Sequence, residues 1–278
     1  MGIILFRKPK HQAVFRKVAM GTWNQGGDPS VYGILEIDMT NALNFIEQMS
    51  HQYSVKLTPA HLVGRALALV MMERPEINGM IRFNKIYYRQ YVDLFYQVNV
   101  SGEKDHKISK ANLSGTVVKN AEKKSVIQIA EDLNNQSKKI REGDDPLFKS
   151  TFDLFKILPW SLSALSLKIF SFLNYDLNLN LSSLGLPKDP FGSAMITNVG
   201  SLGIDVAFAP LVPYSRVPLL LSLGRVHETP VAHRGEVVIR PMMKIGVTFD
   251  HRFIDGIHAS EMAKLFKQYM NEPEKYLM

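Results

Sequence analysis

The apolar residues of this chain recur at two periods. Every second residue is apolar in 31–39 (VYGILEIDM) and in 244–250 (KIGVTFD), and this alternation predicts half-buried strands. Shorter strands are predicted at 86–88 and 92–100.

Helical spacing separates these strands. Thr40 is predicted to cap a helix with inward-facing apolar positions, and Thr58-Pro59 is predicted to start the next one, since proline fits the first helical turn. Residues 126–141 predict a third helix with a basic end, and a fourth begins after Gly256.

Residues 155–173 are strongly apolar. Pro159 interrupts them and leaves about fourteen residues, whereas a membrane-spanning helix needs about twenty. A transmembrane segment is therefore not expected. Three interpretations stay open: a core helix, a subunit-contact helix, or a surface helix that lies on a membrane.

Composition limits the kinds of site and partner that the chain can have. With no cysteine among 278 residues, disulfides, thiolate metal sites and a cysteine nucleophile are excluded. The net charge of +7 suits an anionic ligand, and by itself it fits nucleic acid or a membrane surface equally well. The basic residues match no nucleic-acid-binding motif, so no nucleic-acid partner is expected. The four apolar residues 3–6 are too few for a signal peptide, which favours a cytoplasmic protein.

The main candidate for chemistry is a polar cluster after the strand 244–250. Asp250, His251, Arg252, Asp255 and Gly256 follow one another within seven residues, where the chain turns into a helix. A strand end of this kind can hold a general base rigidly, and histidine titrates near working pH. The alternative is a histidine with a purely structural role.

Other site types find no support in the sequence. His251 and His258 are seven residues apart with no third ligand in pattern, so a zinc site is not expected. A glycine-rich phosphate loop and a GxSxG nucleophile elbow are both absent.

A family resemblance favours the catalytic interpretation of His251. The segment HRFIDG resembles the HRxxDG signature of the dihydrolipoamide acyltransferase catalytic domain, a version of the HxxxDG motif of chloramphenicol acetyltransferase. Residues 189–203 (DPFGSAMITNVGSLG) are similar to that family's GTFTISNLG segment. Residues 212–226 (VPYSRVPLLLSLGRV) and 235–243 (GEVVIRPMM) are similar to NPPQVAILGVGRI and GEIVVRPMM. The four segments stand in the family's order.

The resemblance implies a chloramphenicol-acetyltransferase-like α/β fold, the fold of CoA-dependent acyltransferases: a mixed β-sheet with helices packed on one side. It covers residues 1–278 as a single catalytic domain, with two departures from the family pattern. Residues 102–113 are charged where the family has a glycine-rich turn and a strand lining the donor channel. Residues 147–184 form an insertion, and its apolar helix could roof the acceptor pocket.

The resemblance also implies residue roles. His251 would deprotonate the attacking group, and the Thr197 hydroxyl would bond the oxyanion, as the family's serine does. Asp255 would form an ion pair with Arg16 that fixes the loop. Arg252, Gly256 and Asn198 would support the site, whereas the residues that bind coenzyme A are not identified.

The implied activity is transfer of an acyl group between coenzyme A and a thiol, hydroxyl or amine, by general-base catalysis in a ternary complex. Coenzyme A would be a substrate, with no metal and no lipoyl group attached to this chain. The family forms trimers with active sites between subunits, which predicts a homotrimer or a multiple of trimers, and a lipoylated protein acting in trans is one candidate acceptor. The alternative is a non-enzymatic trimeric scaffold, or a membrane-associated relative that touches lipid through residues 155–173.

Overall fold

The computed structural model describes residues 6–7, 28–99, 113–142 and 160–278. Three features of the sequence lie outside these ranges: Arg16, the segment 102–112 and residues 147–159 of the predicted insertion.

Two β-sheets are formed by the described residues. Their strands are β1 (Phe6–Arg7), β2 (Ser30–Asp38), β3 (Gly79–Arg82), β4 (Lys85–Arg89), β5 (Leu94–Asn99), β6 (Leu113–Val118), β7 (Ala194–Asn198), β8 (Leu219–His233) and β9 (Glu236–Asp250). The strands predicted at 31–39, 86–88, 92–100 and 244–250 are confirmed as β2, β4, β5 and the end of β9.

The larger sheet has six strands in the order β2-β9-β8-β7-β5-β6. β7 runs parallel to β5 and β8, and the other neighbours pair antiparallel, so the sheet is mixed as predicted. The smaller sheet has the order β1-β4-β3 and is antiparallel.

Six α-helices lie in the described ranges: α1 (Thr40–Tyr53), α2 (Pro59–Glu73), α3 (Val126–Arg141), α4 (Trp160–Ser171), α5 (Gly256–Asn271) and α6 (Pro273–Tyr276). The predicted starts of α2 and α3 are confirmed. Thr40 is not the cap of α1 as predicted, because it is already the first helical residue and Met39 takes the cap position. Its backbone and hydroxyl instead both donate to the Asp38 carboxylate.

Helices cover one face of the larger sheet. Leu221 and Ile245 of the sheet share a buried cluster with Leu67 of α2, Ile129 of α3 and Phe266 of α5. The predicted arrangement of helices on one side is therefore confirmed. The opposite face carries a smaller apolar cluster, formed by Phe95, Val117, Phe191, Met195, Val217 and Leu220.

A loop crosses that opposite face between β7 and β8. It lies so close that a Cβ at Gly224 would come within 1.8 Å of the Asp205 carbonyl oxygen, and one at Gly246 within 2.1 Å of the Ala207 oxygen. Real Cβ atoms do not approach backbone oxygens so closely, so both positions require glycine. The loop is further held by Thr248, whose hydroxyl donates to the Ala209 carbonyl.

The described part of the predicted insertion is a helix followed by one π-helical turn. α4 passes into the turn Phe172–Asp176 at Ser171. Leu162, Leu165, Ile169 and Phe172 are exposed. A core helix, the first of the three interpretations, is therefore wrong for the described part of this segment. No helix in the described ranges combines the length and apolarity needed to cross a membrane.

Candidate active site

The loop that carries His251 is tied to two neighbouring strands. The Asp250 N–H donates to the Pro218 carbonyl before β8, and the His251 N–H donates to the Pro29 carbonyl before β2, each at 2.9 Å. His251, half-buried, is therefore the first residue beyond β9, held between the starts of its two neighbours.

Asp250 organises the turn around His251. Its carboxylate pairs with the Arg252 guanidinium at two points, Nε to Oδ1 at 3.0 Å and Nη2 to Oδ2 at 2.7 Å, and also accepts from the Arg252 N–H. Its carbonyl accepts from the N–H groups of Phe253 and Ile254. Two-point pairing fixes the plane of the guanidinium relative to the plane of the carboxylate, so the backbone at residue 251 has little freedom. Arg252 is thus bound to the turn through Asp250.

Asp255 caps the helix that follows. Its Oδ1 accepts from the N–H groups of Ile257 and His258 at 3.1 Å each, and lies 2.5 Å from Nδ1 of His258. These contacts satisfy two of the N–H groups that open a helix. The predicted ion pair with Arg16 lies outside the described residues. Within the described residues, Asp255 is held by its cap to α5 and by His258, for which the sequence analysis predicts no role.

Gly256 is the first residue of α5 and does not need to be glycine for its backbone conformation. It is absent from the residues with positive φ, and a Cβ built on it meets no atom within 4 Å. The supporting role predicted for Gly256 therefore does not come from backbone freedom.

Thr197 lies near the end of β7, half-buried, four residues after Ser193. The adjacent Asn198 is exposed and shapes the turn that follows, since its side-chain oxygen accepts from the Ser201 N–H and its carbonyl accepts from the Ser201 hydroxyl. Asn198 therefore supports the backbone next to Thr197.

A single chain does not bring Thr197 and His251 together. Thr197 pairs with Ser222 on β8, and Ser222 pairs with Gly246 on β9. From Gly246, β9 runs four more residues to Asp250, which is about 13 Å along the strand, and β7 and β9 are about 10 Å apart across the sheet. A base and an oxyanion donor must both lie about 3 Å from the reacting group. Within one chain, Thr197 and His251 therefore lie too far apart to act on the same group.

A cavity of about 390 Å³ borders the histidine loop. Asp250 and Arg252 line it on one side, together with Pro29, whose carbonyl holds the His251 backbone. Phe172 and Asp176 of the π-helical turn line it on another. The site thus has an adjoining space for a small molecule, partly built from the predicted insertion.

Some ion pairs around the histidine loop and its cavity could be predicted from neighbouring residues in the sequence, and others could not. The opposite charges of Asp250 and Arg252 flank His251 in the sequence, so their pairing has a local signal. Asp176 and Arg216, which form an ion pair beside the cavity, are forty residues apart, and only the fold brings them together. Within the described ranges, no group of three or more His, Cys, Asp or Glu side chains could hold a metal ion.

Comparison with known proteins gives a family match. The model of the 2-oxoacid dehydrogenases acyltransferase (catalytic domain) family matches residues 16–146 and 190–278. The matched ranges leave out residues 147–189, which include the predicted insertion. The dihydrolipoyllysine-residue acetyltransferase component of the Bacillus subtilis pyruvate dehydrogenase complex is 26% identical over 255 residues, covering 90% of this chain and 46% of that protein. The chain thus spans about half the length of this curated relative.

Solved structures agree on the fold. A probable dihydrolipoamide acetyltransferase from Listeria monocytogenes superposes with a TM-score of 0.64 at 18% identity, covering 96% of this chain and 94% of that one. A chloramphenicol acetyltransferase gives a TM-score of 0.51 at 12% identity, covering 96% and 100%. The predicted chloramphenicol-acetyltransferase-like fold is confirmed. By its family match, the chain belongs to the acyltransferase (catalytic domain) family of the 2-oxoacid dehydrogenases.

Proposed function

We propose that this protein transfers an acyl group between coenzyme A and a dihydrolipoyl thiol carried by another molecule. The observation that carries the proposal is the placement of His251, held between the starts of two strands inside a segment that matches the family. The relative from Bacillus subtilis is named for acetyl transfer to a dihydrolipoyllysine residue. We take acetyl as the acyl group and the dithiol as the acceptor on that basis.

His251 acts as the general base in this proposal. Its imidazole takes the proton from the acceptor thiol, and the resulting thiolate attacks the thioester carbonyl of acetyl-coenzyme A. A new carbon–sulfur bond forms, and the carbonyl electrons move to oxygen. When the tetrahedral intermediate collapses, the bond to the coenzyme A sulfur breaks, and the imidazolium returns its proton to that sulfur. No acyl-enzyme forms, which agrees with the absence of cysteine.

Thr197 stabilises the oxyanion by donating its hydroxyl hydrogen. Because Thr197 and His251 lie far apart in one chain, the Thr197 that serves a given His251 comes from a second copy. We therefore propose a homotrimer, or a multiple of trimers, in which each active site forms between two subunits. A closed ring of identical contacts makes every site equivalent.

Arg252 and Asp255 position the base in this scheme. The Asp250–Arg252 pair fixes the backbone on both sides of His251, and the Asp255 cap fixes the start of α5. Neither side chain is assigned a proton-transfer step. Their contribution is the orientation of the imidazole relative to the thiol, which general-base catalysis requires.

The experiment is isothermal titration of coenzyme A and acetyl-coenzyme A into the wild type and into His251→Ala, followed by transfer assays with dihydrolipoamide. We expect both proteins to bind the nucleotides, and only the wild type to form S-acetyl-dihydrolipoamide. Saturable binding without transfer in the wild type would contradict this acceptor. Failure of both proteins to bind at millimolar ligand would contradict the donor assignment and favour a non-enzymatic scaffold.

A further inference from the structure

The hairpin of β3 and β4 turns through a strained aromatic residue. Arg82 pairs with Lys85, so the connecting loop has only two residues. These are Phe83 and Asn84, with φ of 46° and 56°. Such a loop favours glycine or asparagine, and a bulky side chain there is strained. Phe83 is also 58% exposed, so burial in the core does not offset the strain. A strained residue without this compensation is typical of a functional position.

An apolar surface on α4 adjoins Phe83. The rings of Phe83 and Phe172 lie edge to face with centroids 6.3 Å apart. From Phe172 the exposed side chains continue back along the helix as Ile169, Leu165 and Leu162. Because they are three and four residues apart, they lie on one face. Together with Phe83 they form one exposed surface, the apolar stripe.

Hydrogen bonds fix the apolar stripe to the rest of the protein. The Arg216 guanidinium donates from Nε to the Ser171 hydroxyl at 3.0 Å and from Nη1 to the Ile81 carbonyl at 3.2 Å. Its Nη2 donates to the Asp176 carboxylate at 2.7 Å, and Nη2 of Arg82 donates to the Asp176 carbonyl at 2.6 Å. The end of α4 and the hairpin are therefore joined, which holds the stripe in a fixed orientation.

The exposed charges beside the apolar stripe are positive. Lys85 follows the hairpin turn and Lys168 lies on α4, and both are exposed. Residues 79–89 and 160–188 together contain a single carboxylate, that of Asp176. Its side chain is 7% exposed and forms the ion pair described above, so it adds no negative charge to the surface. The stripe is thus an apolar surface with a cationic border.

This combination distinguishes between kinds of partner. A second copy that used the same surface would bring like charges together, and the cores of protein–protein interfaces are depleted in lysine. A bilayer of anionic lipid suits both features, because its interface accepts aromatic and aliphatic side chains and its headgroups attract basic ones. The net charge of +7 adds to this attraction. The exposed carboxylate of the adjoining cavity, Asp28, lies near the Arg252 guanidinium, which balances it.

We propose that the apolar stripe docks the protein on the surface of an anionic bilayer. Phe83 and the exposed face of α4 enter the headgroup region, and Lys85 and Lys168 contact the lipid phosphates. With twelve residues, α4 lies along the membrane and does not cross it. It is then the surface helix, one of the interpretations that its sequence left open. This binding does not depend on the transfer reaction.

Flotation of the full-length protein with unilamellar vesicles tests the binding. Vesicles of phosphatidylcholine with about one third phosphatidylglycerol should bind the wild type. Pure phosphatidylcholine vesicles should bind it about tenfold more weakly or less, because each basic side chain at an anionic surface contributes about fivefold. Added NaCl should reduce the difference between the two kinds of vesicle, since salt screens exposed charges.

Phe83→Asn separates membrane binding from folding. Asparagine suits a residue with a φ of 46°, so the variant should unfold at the same temperature as the wild type or at a higher one. Its binding to anionic vesicles should weaken about tenfold, the effect of keeping one phenylalanine out of an apolar phase.

Leu165→Ser should weaken vesicle binding about tenfold as well. Met72→Ser on α2 is the matched control, because Met72 and Leu165 are both helical and are 52% and 54% exposed. It should leave vesicle binding unchanged. Lys168→Glu should reduce the preference for anionic vesicles and leave binding to pure phosphatidylcholine as it is.

Equal binding of the wild type to both kinds of vesicle, or binding to neither, would overturn the inference. Binding that persists at the wild-type level in both Phe83→Asn and Leu165→Ser would also overturn it. If the wild type binds no vesicles and Leu165→Ser dissociates its oligomers in sedimentation velocity, the apolar stripe is a contact between copies of this chain.

Discussion

Asp250 and Arg252 form a two-point ion pair across the residue between them, His251. The pair joins Nε to Oδ1 at 3.0 Å and Nη2 to Oδ2 at 2.7 Å, and the Arg252 N–H adds a third bond to the same carboxylate at 2.9 Å. Asp250 is 8% exposed. The pair is shielded from solvent at its acidic side, so it restricts the turn that presents His251.

Replacing Arg252 by lysine should lower kcat by about tenfold to a hundredfold, because lysine keeps the charge and loses the planar fork that orients Asp250. The KM for acetyl-coenzyme A should change little. Steady-state kinetics with dihydrolipoamide as acceptor measures both values.

The matched control for this variant is Arg225→Lys. Arg225 pairs with Asp205 at an exposed position, where an ion pair contributes about 0–1 kcal/mol. The Arg225→Lys variant should leave kcat unchanged. Equal kcat in Arg252→Lys and wild type would show that the fork does not position the base.

Asp255 should stabilise the fold mainly as a helix cap. Asp255→Ala removes the acceptor for the Ile257 and His258 N–H groups, and we expect it to lower the free energy of unfolding by about 1 kcal/mol. Asp255→Asn retains a capping oxygen and should lose less. Urea unfolding compares the two, and equal losses would contradict the capping role.

His61 gives the protein a built-in dependence of stability on pH. It is 6% exposed at the start of α2, and its Nδ1 accepts a hydrogen bond from the Thr58 N–H at 3.1 Å. Burial lowers the pKa of His61 from 6.5 to about 4. The unfolded chain therefore binds a proton more readily than the folded one between these two pH values.

The contribution of His61 to the free energy of unfolding should thus be highest above pH 6.5. It should fall by roughly 3 kcal/mol as the pH drops from 6.5 to about 4. His61→Gln keeps an acceptor for Thr58 and removes the titration, so it should flatten this part of the profile. Urea unfolding at several pH values measures the difference. His233→Gln, at an exposed hairpin end, should leave the profile as in the wild type; an unchanged profile in His61→Gln would refute the assignment.

Local patterns predicted much of the framework. Alternation identified β2 and the end of β9 because each strand buries one face, and the proline after Thr58 identified the start of α2. The start of α1 was misplaced at Thr40. Residue type alone does not distinguish a threonine that bonds Asp38 from inside the first helical turn from a threonine at the cap position. The exposure of α4 could not be predicted, because its apolar residues have the spacing of a core helix.

The site was predictable where its residues are neighbours in the sequence. His251, Arg252 and Asp255 lie within five residues, and their motif predicted a loop that holds a general base. The contact of Arg216 with Asp176 depends on how a long segment folds back over β3, and no local pattern encodes it. The distance between Thr197 and His251 likewise follows from strand order and register, which the sequence did not supply.

The most direct measurement is complementation between two inactive chains, His251→Ala and Thr197→Ala, co-expressed with different tags and purified as mixed oligomers. If each active site takes its base from one subunit and its oxyanion donor from the next, a trimer that contains both chains keeps both groups intact at one of its three interfaces. The purified mixed trimers should then recover about a third of wild-type acetyl transfer. Activity no greater than the average of the two parent variants would contradict a site shared between subunits.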